Sequence, residues 1–355
     1  MNKADEQPQK PGRIRVKFIS MVRTDNWLRH FPGGIPVWGH CDFCFDREMT
    51  GYDWVVVYDD LRIPGRSRNA LHTEHLTCPA ENTLLVTTEP SSIKTYGTRY
   101  TAQFGHVLTS QAEWALPHHS RIYSQPALTW FYGVGKDHAL GYDEMHDAAA
   151  WEKTRSISTV CSAKKQTHTL HNRRYKFTRA LGRLLPELDV YGHGIKEMDD
   201  KAEALHDYRY HIAIENHRGL HHWTEKLADP FLALSLPFYY GCTNVTDYFP
   251  AECLIEIDIG NVEQSAEIIR RSIEDNEYEK RLPFLLEARR RVLEEYNLFA
   301  VLAREIELRH KQQAGPGDGG VLLSRRSVHR SNLFSGLGYL YQKSRNRLLH
   351  RIRSS

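Results

Sequence analysis

The order of apolar and polar positions divides the chain into short β-rich runs separated by helix-compatible stretches. Residues 13–21 alternate, with Ile14, Val16, Phe18 and Ile19 apolar, which predicts a first strand. WVVVY at 54–58 and LLVTT at 84–88 are β-rich runs closed by polar residues, the pattern of buried parallel strands. Pro117, Pro126 and Gly133 mark loops leading to a boundary near residues 145–158. The alternation then resumes, with strands predicted over 156–163, 187–192, 210–215 and 236–241 and helices over 172–185 and 224–234. Pro230 falls inside the last of these helices, where it removes one backbone hydrogen bond. Residues 261–313 read as helical throughout, with Ile268, Ile269, Leu282, Leu285, Leu286, Val292 and Leu293 at apolar positions. Strands separated by helical patterns mean βαβ units and a parallel sheet. The predicted architecture is therefore α/β: two Rossmann-like domains, 13–150 and 151–313, face each other across a cleft, and the second carries the trailing helices.

Outside these domains, residues 1–12 form a polar leader, AGPGDGG at 314–320 reads as a linker, and 321–355 as a tail. A chain of 355 residues has room for two domains of ordinary size, and 41% hydrophobic with 26% charged residues is a soluble globular composition. No apolar run approaches the roughly 18 residues of a membrane span; the longest, about 231–240, is interrupted by Ser235 and Pro237. The N-terminus lacks the apolar centre of a secretory signal, and six scattered cysteines are too few for a disulfide framework, so a cytoplasmic, reducing setting is expected.

The net charge of +3 conceals an asymmetry. Residues 325–355 hold eight Lys/Arg and no Asp/Glu, leaving the body with 39 basic against 44 acidic residues. That argues against a nucleic-acid-binding body and for a terminal segment meeting an anionic surface. The tail places Leu333, Leu337, Leu340, Tyr341, Leu348 and Ile352 at helical spacing, among or opposite Lys343, Arg345, Arg347, Arg351 and Arg353. Two expectations compete for it: a peripheral contact with the inner face of the cell membrane, or a terminal helix packed on its own protein.

Ligands of open parallel sheets sit beyond the carboxyl ends of the strands, where loops lead into helix N-termini. Two such junctions in the second half are cationic. After the strand ending at Glu215 and Asn216, the loop HRGLHHW reaches Thr224, a good N-cap, with Glu225 and Lys226 in the first turn. After the strand 156–163, Lys164, Lys165, Arg173 and Arg174 stand near the next helix start, and an arginine there can grip a diphosphate with two parallel N–H bonds. Each cation is by itself compatible with a solvated helix face, and Glu225 with a dipole-favoured first-turn acid. In the first half Glu89 projects from a carboxyl-end loop into the expected cleft, a position suited to a general base. Cys41-x-x-Cys44 lacks a second ligand pair and is read as half-buried thiols, not a metal site. Trp38, Trp54, Trp114, Trp130, Trp151 and Trp223 fit core packing better than sugar stacking.

The segment 208–250, YRYHIAIENHRGLHHWTEKLADPFLALSLPFYYGCTNVTDYFP, resembles the signature of glycosyltransferase family 10, the α-1,3/4-fucosyltransferases: a Y-x-F/Y strand, then E-N, T-E-K, P-x-x-x-G and D-Y/F-F. The likeness extends upstream through LDVYGHG at 188–194 and RYKFTRAL at 174–181, and more weakly to TTEPSS around Glu89. It implies a GT-B fold that uses GDP-fucose as donor substrate, inverts the anomeric centre and requires no cofactor, a divalent metal being at most stimulatory. Glu89 would take the proton from the acceptor hydroxyl. Arg174 and Lys226 would neutralise the departing diphosphate, and Glu225 would hold sugar hydroxyls and stabilise charge on the ring. Asn216, Thr224, Tyr210 and Gly192 would complete the donor site. The sequence departs from the family pattern at His222-Trp223, where the family usually has Tyr-Val or Tyr-Ile; a hydroxyl near the donor sugar is lost, and His222 is expected to bond a sugar or phosphate oxygen in its place. The expected acceptor is an oligosaccharide or glycolipid, with no nucleic-acid partner. The alternatives are another nucleotide-sugar donor on the same fold, or an inactive glycan-binding relative.

Overall fold

The computed structural model describes residues 12–22, 24–61, 71–126, 129–161, 170–311, 320–331 and 333–354. Lys164 and Lys165, the leader up to residue 11 and nearly all of the expected linker lie outside the described residues. Fourteen strands are assigned among them: β1 (Ile14–Ile19), β2 (Val37–Trp38), β3 (Cys41–Cys44), β4 (Trp54–Tyr58), β5 (Thr73–His75), β6 (Thr83–Val86), β7 (His106–Thr109), β8 (Arg121–Tyr123), β9 (Arg155–Val160), β10 (Leu188–Tyr191), β11 (Tyr208–Gly219), β12 (Leu236–Cys242), β13 (Ile255–Glu256) and β14 (Val321–Leu323). The helices are α1 (Asp25–Leu28), α2 (Thr98–Thr101), α3 (Tyr142–Asp147), α4 (His171–Leu184), α5 (Glu225–Leu232), α6 (Val262–Glu274), α7 (Glu277–Glu294), α8 (Leu298–Glu307), α9 (Arg325–Arg330) and α10 (Leu333–Ser354).

Two separate sheets carry the fold, as the alternating pattern predicts. The first runs β2-β3-β1-β4-β6-β7-β8, parallel except for β2 at the edge; the second runs β10-β9-β11-β12-β13 and is parallel throughout. In each sheet the winding direction reverses once, between β1 and β4 and between β9 and β11. A doubly wound sheet opens a crevice at that reversal, beyond the strand carboxyl ends. Asp59 follows β4 and Asn216 lies near the end of β11, so both reversal points carry polar groups at the cleft.

Both faces of the first sheet are buried, which is why β4 reads as an unbroken apolar run. Trp54, Val56 and Tyr58 face a cluster containing Ile14, Val16, Phe18 and Leu108, whereas Val55 and Val57 face another containing Leu85, Tyr100 and Val107. Strands β3, β7 and β8 escaped the sequence reading because they are three or four residues long, too short for a period to register.

The trailing helical run is interrupted twice. Asn276 adopts a left-handed conformation between α6 and α7, a geometry asparagine tolerates, and Asn297 caps α8 by accepting from the Phe299 N–H. The second break redirects the chain: α8 leaves the second domain and buries Leu298, Phe299, Val301, Leu302 and Ile306 against the first sheet. The helices after residue 151 thus serve both domains.

The tail is not an appendage. Strand β14 pairs antiparallel with β5, Ser324 caps α9, and Leu322 and Val328 enter the second core of the first domain. Burial of these two apolar side chains outweighs the polar character of the surrounding residues. The packed-helix expectation therefore holds for residues 321–330.

Phe299 is fully buried and meets Phe18, Phe31, Phe43 and Phe45 at ring-centroid distances of 4.1–5.8 Å. Phe299→Ala is expected to destabilise the first domain by about 3–5 kcal/mol. The measurement is urea unfolding followed by tryptophan fluorescence, and loss below about 1 kcal/mol would mean that α8 does not help hold that sheet together.

Candidate functional site

The second domain supplies a charged cluster at the carboxyl ends of β9 and β11. Arg174 sits in the first turn of α4, is 8% exposed, and donates from Nη1 to Asn216 Oδ1 at 2.9 Å and to the Ile214 carbonyl at 3.3 Å. Its Nε has no hydrogen-bond partner among the described residues. A buried guanidinium N–H left unpaired is costly unless a ligand completes it. Asn216 thus acts at least as an orienting partner of Arg174.

The turn from β11 into α5 is organised by Glu215, which is wholly buried. Its carboxylate accepts from the Thr224 N–H at 2.8 Å and the Thr224 hydroxyl at 2.7 Å, and lies 3.9 Å from Lys226 Nζ. Thr224 in turn caps α5 by accepting from the Lys226 N–H. Both first-turn residues of α5 are then held in place: Lys226 Nζ bonds Glu225 Oε1 at 2.6 Å and Thr224 Oγ1 at 3.2 Å. Lys201 adds a third cation, bonding Asp229 Oδ2 at 2.6 Å and the Glu225 carbonyl at 3.3 Å. Arg174, Lys201, Glu225, Lys226, His211 and Met198 are among the groups lining one cavity of about 360 Å³.

The charges in this cluster set one another. Burial pushes the Glu225 carboxyl up, but Lys226 and then Lys201 outweigh it and bring it to about 2. Burial lowers the Lys226 ammonium, and Glu225 and Glu215 reverse that, so it is raised. Glu215 and Asp229 remain raised by burial, Lys226 and Lys201 respectively opposing the effect. Glu225 and Lys226 are accordingly both ionised at neutral pH.

The first domain contributes Glu89 from the loop after β6. Its main chain is fixed, with the Glu89 carbonyl accepting from Gln111 Nε2 at 2.7 Å, while its side chain stays open to solvent. Below the loop, Asp59 at φ 76° accepts from Lys94 Nζ, Tyr96 and Thr88 at 2.5–2.8 Å. Crowding in the cleft raises the Glu89 carboxyl; Lys226 pulls it down, and Asp59 and Glu225 push it up again. Glu89 is thus close enough across the cleft to feel the charges of Lys226 and Glu225.

The remaining donor-site expectations divide. His222 is buried and bonds Ser110 Oγ of the first domain at 3.2 Å, its ring 5.3 Å from that of His217. Burial, with His217 and Lys226 adding, holds its imidazole well below the usual range, so it is neutral. Tyr210 is displaced from the site: it is buried in the second-domain core, stacks on Phe238, and its hydroxyl donates to the Ser272 carbonyl and accepts from the Tyr278 N–H. Alternation along β11 turns it to the opposite face from His211. Gly192 serves backbone packing, since at φ +131° a Cβ there would collide with the Cys161 carbonyl at the end of β9. Trp54, Trp130 and Trp223 are buried, as expected of core residues. No metal-binding group of three or more His, Cys, Asp or Glu occurs among the described residues. A larger cavity of about 450 Å³ lies by Arg218, Tyr240, Thr243, Glu256 and Asp258, outside this cluster.

Sequence reasoning missed Glu215, Lys201, Asp229, Asp59 and Lys94 as parts of the site. The E-N and T-E-K motifs pointed at Glu215, because a carboxylate ending a buried strand needs donors; nothing local marks the others.

Each domain is a doubly wound sheet, and the charged cluster lies beyond the strand ends of the second, where folds of this kind bind their ligands. Residues 150–281 match the family model for the C-terminal part of glycosyltransferase family 10 (fucosyltransferase). Among solved structures, an α1,3-fucosyltransferase with GDP-fucose is similar at 15% identity and a TM-score of 0.44, covering 79% of this chain and 84% of its own. An α1,3-fucosyltransferase with GDP gives 15% identity and 0.43, over 84% and 96%. TarM gives 9% identity and 0.41, over 65% and 55%. No curated protein matches the chain.

Thr224→Ala removes both the cap of α5 and one of two donors to the buried Glu215. The expected loss is about 1–3 kcal/mol in chemical unfolding, with Thr224→Ser retaining most of the stability. Equal stability of the alanine variant would refute the account of this turn.

Proposed function

We propose that the protein transfers L-fucose from GDP-fucose to a hydroxyl of an oligosaccharide or glycolipid acceptor, with inversion at the anomeric carbon. The observation that carries this reading is the convergence on one cavity of Arg174, with its unpaired Nε, and Lys226 at the N-terminus of α5, whose charge reaches Glu89 of the first domain. The family match supports the fucosyl donor.

In this reading Arg174 and Lys226, beside the N-terminus of α5, receive the diphosphate. These groups are fixed before the ligand arrives, so they stabilise charge on the leaving group without reorganising. Glu89 accepts the proton of the acceptor hydroxyl as its oxygen bonds the anomeric carbon. The bond from that carbon to the phosphate oxygen breaks on the opposite face, and GDP leaves with the electron pair. Glu225, ionised down to about pH 2, supports the positive charge that develops on the sugar ring and binds its hydroxyls. Asn216 orients Arg174, and Thr224 with Glu215 orients Lys226. Since protein cations meet the diphosphate, no divalent ion is required, and chelation with EDTA is expected to leave most of the rate. His222 of the second domain bonds Ser110 of the first and so ties the two walls of the cleft together.

Glu89→Gln should lower kcat by about 10²–10⁴-fold while leaving GDP affinity unchanged. The raised pKa of Glu89 adds a sign to the pH profile. The base works ionised, so kcat/KM falls as pH drops through a value above the ordinary glutamate value of about 4.3, and this acid limb vanishes in Glu89→Gln. Transfer that survives intact in the variant would refute the assignment, and a wild-type protein that binds GDP-fucose without transferring it would be a glycan-binding relative.

Arg174→Ala removes charge-assisted bonds of about 1.5–3 kcal/mol, a loss of roughly 10- to 100-fold in GDP affinity by calorimetry. Arg174→Lys should recover little of it, because an ammonium does not reproduce the planar fork. Unchanged affinity in the alanine variant would exclude Arg174 from the diphosphate site.

A further inference from the structure

Helix α10 is mounted the opposite way round from an ordinary surface helix. A helix packed on its own protein turns its apolar stripe inward. Here the inward stripe is polar. Ser335 accepts from Arg99 Nη1 at 2.5 Å, and Gln342 accepts from the Thr98 N–H at 3.0 Å and donates to the Ala115 carbonyl at 3.4 Å. Asn346 also donates to the Ala115 carbonyl, and His350 bonds Ser91 Oγ at 3.0 Å. Tyr339 stacks on His329 of α9 at 3.9 Å.

The apolar residues point away. Phe334, Leu337, Leu340, Tyr341 and Leu348 are each more than half exposed. At about 100° per residue they fall within one stripe roughly 120° wide, opposite the arc of Ser335, Gln342 and Asn346. Lys343 and Arg347 border this stripe on one side and Arg345 on the other, Arg345 being held by the Trp114 carbonyl at 2.9 Å. No acidic residue occurs between 325 and 355. The side chains of Leu333, Arg351 and Arg353 lie outside the described residues.

We propose that the outer face of α10 is an interfacial anchor that seats the first domain on an anionic phospholipid bilayer. An aqueous surface has no reason to carry an apolar stripe, interrupted by Ser344, along a helix of 22 residues, and a bilayer interface buries it while its anionic headgroups receive the flanking cations. The charge complementarity selects a lipid surface over a second copy of this chain, which would bring like charges together across the contact. No helix among the described residues is long and apolar enough to cross a membrane, so α10 lies in the interface plane. The last turns of α10 reach Ser91, two residues beyond Glu89, so the anchor also brings the mouth of the cleft to the lipid surface. An acceptor anchored in the same leaflet would be presented to that mouth. The surface proposal stands whether or not fucose is the sugar transferred.

The test is sedimentation of the full chain with vesicles of phosphatidylcholine alone and of phosphatidylcholine with phosphatidylglycerol in equal parts. Binding is expected to the anionic vesicles and not the neutral ones, to weaken in high salt, and to fall about fivefold in Arg347→Ala. The combined variant Leu337→Glu, Leu340→Glu and Leu348→Glu should lose binding more than tenfold while keeping wild-type circular dichroism and GDP affinity, because these side chains make none of the docking hydrogen bonds. Failure of the folded wild type to bind anionic vesicles would overturn the proposal. So would equal binding to neutral vesicles. A concentration-dependent dimer in ultracentrifugation, abolished by the same triple substitution in a protein that ignores vesicles, would assign the face to a second copy instead.

Discussion

The cleft depends on a carboxylate that never meets solvent. Glu215 lies in the central strand of the second sheet inside the protein, and its burial is tolerable because Thr224 supplies two donors and Lys226 a nearby charge. Those same contacts decide where α5 begins, which way its first turn faces and where the Lys226 ammonium comes to rest. Without that anchor the loop 217–223 would leave the helix start unspecified, and Glu225 would lose the cation that keeps it ionised.

The first domain solves a matching problem by different means. Asp59 is held in a left-handed conformation by three donors, and Gln111 ties the main chain of Glu89 to that of Lys94. The backbone of Glu89 is immobilised while its side chain is left open, which suits the proton acceptor proposed for it. Burial in the cleft raises its pKa, Lys226 and Lys94 opposing and Asp59 and Glu225 adding.

The domains are laced together by elements that return along the chain. Helix α8 comes back from the second domain to fill a face of the first, and β14 with α9 closes the other face. His222 of the second domain meets Ser110 of the first, and His350 of α10 meets Ser91 beside the base. The relation of Glu89 to Lys226 therefore rests on packing contributed by three distant stretches of chain.

By itself the sequence determined two α/β units and the longer of their parallel strands, and it marked Glu89, Arg174, Asn216, Thr224, Glu225 and Lys226 as candidates. Those are properties of local pattern: a period, a cap, a charge placed just past a strand end. The same locality misread Tyr210, because alternation along β11 tells which residues share a face and not which face meets the cleft. Tertiary structure alone decided that α8 crosses to the first domain and that Lys201, Asp229, Asp59 and Lys94 join the cleft. It likewise decided that the basic tail folds onto the body with its apolar stripe outward. Each of these depends on contacts between residues far apart in sequence, where the free energy of burial and of satisfying charges is settled by which partners the fold brings together.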